Sequence, residues 1–146
     1  MSSKVNGQTS GLLSGQTNGQ TNGRAYILVV EDDPDLRQNL ADILQDEGYL
    51  TRTAENGRDA LAILQLDERP SLIVLDLAMP DMNGWQFRDK QRSDVRLIDI
   101  PVLVVTANRN LGPDAPGNEV LVKPFGLDEV LDRVKRLLPL SALPAL

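Results

Sequence analysis

Three runs of unbroken apolar residues constrain this chain more than any other feature: Tyr26-Ile27-Leu28-Val29-Val30, Leu72-Ile73-Val74-Leu75 and Val102-Leu103-Val104-Val105, the last read together with Pro101 as a strand from 101 to 105. A strand with one wet face alternates apolar and polar residues. A strand that is apolar at every position is buried on both faces, which requires helices above and below the sheet. The segments between these runs supply such helices.

From Pro34 to Glu47 the spacing is helical, with Leu36, Leu40, Ile43 and Leu44 on one stripe. Asp33 is placed as its N-cap, Pro34 suits the first helical position, and Gly48 ends the helix. Leu50 to Ala54 reads as a short strand. Gly57 to Leu66 reads as a helix with Ala60, Leu61, Ile63 and Leu64 inward. After a turn at Met79–Gly84, a helix is expected from Trp85 to Ser93, with Trp85 and Phe87 as packing residues. Glu119 to Val122 is a short fifth strand. Leu127 to Leu138 is a final amphipathic helix with Val130, Leu131, Val134, Leu137 and Leu138 on its apolar stripe. This alternation predicts an α/β fold: a flavodoxin-like, doubly wound, five-stranded parallel sheet of order 2-1-3-4-5.

The ends of the chain differ in character. Residues 1–24 are rich in Ser, Gly, Gln, Asn and Thr, and Gly-Gln-Thr-Asn-Gly occurs from Gly15 and again from Gly19. Such a segment buries too little apolar surface to offset its ordering entropy, so it is expected to be a disordered tail. The domain is expected over 25–139, with 140–146 as a short C-terminal tail.

Composition narrows the chemistry. The chain has no Cys and no His, which excludes disulfides, thiolate nucleophiles, serine–histidine triads and imidazole metal sites. Its net charge of −6 argues against direct nucleic-acid binding. No apolar run approaches the roughly 20 residues of a membrane helix, and the N-terminus lacks a signal-peptide core. A cytoplasmic location is the expectation.

In a doubly wound sheet, ligands sit beyond the carboxyl ends of the strands, where the winding reverses. The residues delivered there are Glu31-Asp32-Asp33 after the first strand, Asp76 after the third, Thr106 after the fourth and Lys123 after the fifth. Clustered carboxylates without His or Cys make a hard oxygen site, suited to Mg2+. A carboxylate can also attack phosphorus, and a metal, an amine and a hydroxyl can stabilise the transferring group. Plainer readings stand beside these. Asp33 serves chiefly as the N-cap, Glu31 could be a solvated acid, Asp76 could begin a turn, and Thr106 could be an ordinary strand residue.

Four segments carry a family resemblance: Val29-Val-Glu-Asp-Asp-Pro34, Leu75-Asp-Leu-Ala-Met-Pro80 with Gly84, Val105-Thr-Ala107 and Val122-Lys-Pro-Phe125. In this order, at strand ends, they resemble the signatures of response-regulator receiver domains. The likeness covers about Ala25 to Leu138. It implies that Asp76 is the phosphoacceptor of a two-component phosphorelay and that Asp32 is the main magnesium ligand. Glu31 would act directly or through water, and the backbone carbonyl of Ala78 would complete the protein's share. Lys123 would pair with Asp76 and then with a phosphoryl oxygen, Thr106 would be the switch hydroxyl, and Lys123-Pro124 would be cis. The donor would be a histidine kinase or histidine phosphotransfer protein, and the downstream partner an unknown protein. The chain would assist its own phosphorylation and dephosphorylation without being an enzyme in the ordinary sense.

Two departures from the family pattern stand out. Receivers usually carry an aromatic residue three positions before the lysine, and here that position is Val120. The stretch from Thr106 to Lys123 is also short and contains Gly112-Pro113 and Pro116-Gly117, so the fourth helix is expected to be short or missing. Dimerisation through that face in the usual way is therefore not expected. These departures motivate an alternative, a phosphorylation-independent protein-binding module on the same fold. A haloacid-dehalogenase-type phosphatase is a third reading, but it needs a second Asp two residues after the nucleophile, where this chain has Ala78.

Overall fold

The structure is a computed structural model that describes residues 25–66, 68–79, 82–111 and 116–138. The elements, in chain order, are β1 (Tyr26–Val30), α1 (Pro34–Asp46), β2 (Leu50–Ala54), α2 (Gly57–Leu64), β3 (Leu72–Asp76), α3 (Gly84–Arg92), β4 (Val102–Thr106), β5 (Glu119–Val122) and α4 (Leu127–Leu137). The five strands pair in parallel in the order β2-β1-β3-β4-β5, as expected.

Side-chain alternation along the strands divides the core in two. Leu28, Val30, Ile73, Leu75, Val102 and Val104 pack under α2 and α3, against Ala60, Leu64 and Phe87. Ile27, Val29, Leu72, Val74, Leu103 and Val105 pack against Leu40 and Leu44 of α1 and Val130 and Val134 of α4. β1, β3 and β4 are buried at every position, which is why their sequences are apolar without alternation. Each fully buried Val or Leu contributes about 1.5–3 kcal/mol of transfer free energy, so the central strands dominate the drive to fold.

The helices begin where the sequence supplies caps. Asp33 Oδ1 accepts from the N–H groups of Asp35 (2.9 Å) and Leu36 (3.4 Å), and Asn56 Oδ1 accepts from Asp59 (2.8 Å). Asn83 and Gln86 cap α3 reciprocally: each side-chain oxygen accepts from the other's backbone N–H, at 2.9 and 3.0 Å. Gly48, at φ 95°, turns the chain from α1 into β2 in a region that disfavours side chains.

Two expectations need correction. Trp85 does not pack as Phe87 does: Phe87 is fully buried, whereas Trp85 is 41% exposed. Residues two apart on a helix differ by about 200° in direction, so both could not face the core. The helix boundaries also shift: α2 ends at Leu64 rather than Leu66, α1 and α4 each end one residue early, and α3 moves to Gly84–Arg92 because Asn83 provides the cap.

Among the described residues no helix joins β4 to β5. Residues 112–115, including Gly112-Pro113, lie outside the described part, as do both expected tails at 1–24 and 140–146. The described part of this crossover is held by side chains from α3. Buried Arg88 donates through Nε to the Pro116 carbonyl (2.9 Å) and through Nη1 to Gln91 Oε1 (2.8 Å). Gln91 Nε2 in turn donates to the carbonyls of Leu97 (2.9 Å) and Ile100 (3.1 Å). Long polar side chains thus supply contacts that a packed apolar helix would otherwise make.

Candidate functional site

The register of the sheet assembles the site. Val30 lies opposite Leu75, so Glu31 and Asp76 leave adjacent strands side by side. Asp76 lies opposite Val105, and Thr106 opposite Val122, which brings Thr106 and then Lys123 to the same edge. Adjacent strands are about 4.8 Å apart, so these residues come within reach of one another despite sequence separations of up to 92 residues.

Lys123 Nζ stands 3.2 Å from Glu31 Oε1 and 3.4 Å from Asp76 Oδ1. Glu31 Oε2 accepts from the Asp33 N–H (3.2 Å), and Asp76 Oδ1 also accepts from the Ala78 N–H (3.3 Å). Glu31, Asp32 and Asp76 each offer a carboxylate oxygen, and these oxygens all lie within 4.8 Å of one another. Glu31 and Asp76 are buried, whereas Asp32 is exposed at the rim. The reading of Glu31 as a solvated acid is therefore set aside: its residue is 1% exposed and its carboxylate is engaged on both oxygens. Asp33 stands outside the cluster as the helix cap.

The electrostatics follow from burial. Glu31 is pushed up to about 7, chiefly by burial and then by the charge of Asp76, while the Asp33 N–H and Lys123 pull the other way. Asp76 is raised for the same first reason, opposed by Lys123. Burial works against the Lys123 charge, but Asp76 and Glu31 outweigh it and raise its pKa. Three clustered acids sharing one ammonium leave an excess of negative charge in a confined space. The oxygen-only donor set and the spread of these oxygens fit a small hard divalent cation.

Thr106 is buried at the same edge, and its hydroxyl accepts from the Asn108 N–H at 3.1 Å. Its carbonyl accepts from the Lys123 N–H at 2.7 Å, which ties the two strand ends together. Ala78 is exposed in the loop after Asp76. Lys123-Pro124 is cis, as the resemblance implied. Val120 is half-buried and packs against the core on the α2–α3 side.

The sequence reading assigned no role to Arg37, Arg88 or Gln91. For Arg88 and Gln91 a faint signal exists: they lie three apart and flank the stripe of Phe87 on α3, so at least one polar side chain had to turn inward. For Arg37 nothing in the sequence marks it, since a basic residue in the first turns of an amphipathic helix is ordinarily solvated.

A parallel sheet of order 2-1-3-4-5, with an acid cluster and a lysine at the carboxyl ends of its strands, is the arrangement of receiver domains in two-component signalling. The chain belongs to that family: the response regulator receiver domain model matches residues 27–135. Response regulator MprA of Mycolicibacterium vanbaalenii is 40% identical over 117 residues, covering 77% of this chain and 49% of that protein. MprA of Mycobacterium ulcerans is 39% identical over the same length. The chain thus spans about half the length of the curated relatives it matches. Among solved structures, the chemotaxis protein CheY4 of Vibrio cholerae matches with a TM-score of 0.73 and 32% identity, covering 79% of this chain and 99% of that one. The response regulator TrrA of Thermotoga maritima, solved in complex with Mg(2+)-BeF, matches with a TM-score of 0.69 and 35% identity, covering 78% and 99%. Membership of this family places the chain in phosphorelay signal transduction. No helix among the described residues is long and apolar enough to cross a membrane.

Proposed function

We propose that this chain receives a phosphoryl group on Asp76 in a Mg2+-dependent reaction and works as a signalling switch or relay. The observation that carries the reading is Lys123, which reaches both Glu31 and Asp76 beside an acid cluster suited to a divalent cation. Asp32 and Asp76, with the Ala78 carbonyl, would hold Mg2+, and Glu31 would contribute directly or through water. The bound ion would neutralise charge on the transferring phosphoryl oxygens.

The chain's own residues account for the rest. The Asp76 carboxylate forms the new O–P bond as the N–P bond of a phosphohistidine donor breaks, and the electron pair leaves on the donor nitrogen. Lys123, already beside Asp76, exchanges part of that pairing for a phosphoryl oxygen. Thr106 gives up the Asn108 N–H and donates its hydroxyl hydrogen to the phosphoryl group. The donor is a histidine kinase or histidine phosphotransfer protein, and the output is contact with a downstream protein. We place the chain in the cytoplasm, without direct nucleic-acid contact. It turns over no separate substrate and is not an enzyme in the ordinary sense.

A second reading, binding of a partner independently of phosphorylation, is favoured by Val120 in place of an aromatic residue and by the lack of a described helix between β4 and β5. One experiment separates the two. The chain is incubated with acetyl phosphate and Mg2+, then weighed intact, alongside Asp76→Asn and a sample with chelator. The proposal expects one phosphoryl mass on the native chain only. No added mass, together with no beryllofluoride binding, would leave the binding module as the better account.

A further inference from the structure

Arg37 sits one turn into α1, where its backbone N–H donates to the Asp33 carbonyl at 2.9 Å. Its side chain turns back over the start of the helix. Nη1 donates to the Glu31 carbonyl at 2.9 Å and to the Asp32 carbonyl at 3.4 Å. These carbonyls belong to two consecutive residues whose carboxylates are part of the acid cluster.

The placement runs against the simpler electrostatic preferences. A helix N-terminus favours anions and disfavours a cation, and a guanidinium close to a cation site repels the ion it should help to bind. The gain is geometric, since one side chain holds two successive peptide planes. Neighbouring contacts fix the remainder of the loop. The Glu31 N–H donates to the Ala54 carbonyl (3.0 Å), and the Asp33 carboxylate caps α1. Asp32 is exposed at the rim, with its carboxylate beside those of Glu31 and Asp76, so the path of its backbone decides whether that carboxylate stays within reach of them.

We infer that Arg37 is a positioning residue for the metal site, holding the Glu31–Asp32 backbone so that the Asp32 carboxylate stays beside Asp76. This rests on the reading that the acid cluster binds Mg2+. Groups that orient metal ligands without touching the metal commonly set its affinity. Charge and geometry predict opposite signs here. Removing a nearby positive charge tightens cation binding, whereas releasing the loop weakens it.

The test uses the full chain with Mn2+ as a paramagnetic probe, Mg2+ as competitor, and the variants Arg37→Met and Arg37→Lys. Arg37→Met keeps most of the stem but loses the donors and the charge. It is expected to weaken Mn2+ binding about fivefold or more, and Arg37→Lys to recover part of the loss. In the metal-free chain, the Asp32 and Asp33 amides of Arg37→Met should exchange faster with solvent deuterium while β1 amides keep their protection, which shows that the variant is folded. Equal or tighter binding in Arg37→Met overturns the inference. If the native chain binds no Mn2+, the magnesium reading falls and this inference with it. If the native chain binds and Arg37→Met matches it, only the role of Arg37 falls.

Discussion

The ammonium of Lys123 lies 3.4 Å from the carboxylate of Asp76, although the two residues are 47 positions apart in the chain. Asp76 is buried and Lys123 is half-buried, so the pair is screened less than a surface ion pair. Removing the lysine leaves Asp76 and Glu31 facing each other with no cation between them. Lys123→Met is expected to cost about 1–3 kcal/mol at neutral pH, read from urea denaturation. Adding Asp76→Asn should recover part of that loss, because it removes one of the two opposed charges.

Gly84 opens α3 directly beneath the loop that carries Asp76. A Cβ there would stand 2.7 Å from Leu77 Cδ2 and 2.8 Å from both the Asp76 carbonyl oxygen and Leu77 Cα. Two of these are backbone atoms that cannot yield without moving the loop. Gly84→Ala is expected to lower stability by about 1–3 kcal/mol and to reduce the phosphoryl yield from acetyl phosphate. Native stability and yield in that variant would refute the packing argument.

Arg88 and Gln91 form one buried network that spans α3, the 97–100 loop and Pro116. Truncating either member leaves buried polar groups unpaired. Arg88→Met and Gln91→Leu should each cost about 1–3 kcal/mol, and the double variant should lose less than their sum. Additive losses in a double-mutant cycle would show that the two side chains act independently.

Tyr26 supplies a stability signature at alkaline pH. Its hydroxyl donates to the Glu68 carbonyl at 3.1 Å, and its hydroxyl pKa is pushed up to about 12, chiefly by burial, with Arg52 opposing. In the unfolded chain it ionises near the ordinary value of 10. Below 10 both states hold the proton and the contribution is complete. Between 10 and 12 the unfolded state loses the proton first, so stability falls as pH rises, by up to about 2–3 kcal/mol. Tyr26→Phe should remove that part of the slope in denaturation curves measured across this range.

The crossover between β4 and β5 bears on assembly. With no helix among its described residues, the face beside β5 lacks the packing surface of a full crossover helix. Sedimentation of the chain with Mg2+ and beryllofluoride is expected to show no dimer built on that face. A dimer abolished by substitutions at Asn108 or Arg109, both exposed, would contradict this.

Much of this protein could be read from the order of its residues. Runs such as Tyr26–Val30 and Leu72–Leu75 announce strands buried on both sides, because a backbone that alternates its side chains must find apolar surroundings on each face. Caps are equally local: Asp33 acts within three residues of itself. Glu31, Asp32, Asp76, Thr106 and Lys123 could be named in advance because each ends a strand or lies within two residues of a strand end, and a parallel sheet collects strand ends at one edge. The direction of Trp85, the inward turn of Arg88 and Gln91, and the return of Arg37 onto the Glu31 and Asp32 carbonyls were settled only by the tertiary structure. Periodicity reports which residues share a face. It does not report which distant carbonyl a long, flexible polar side chain will find, because that depends on how the packed elements are spaced in three dimensions.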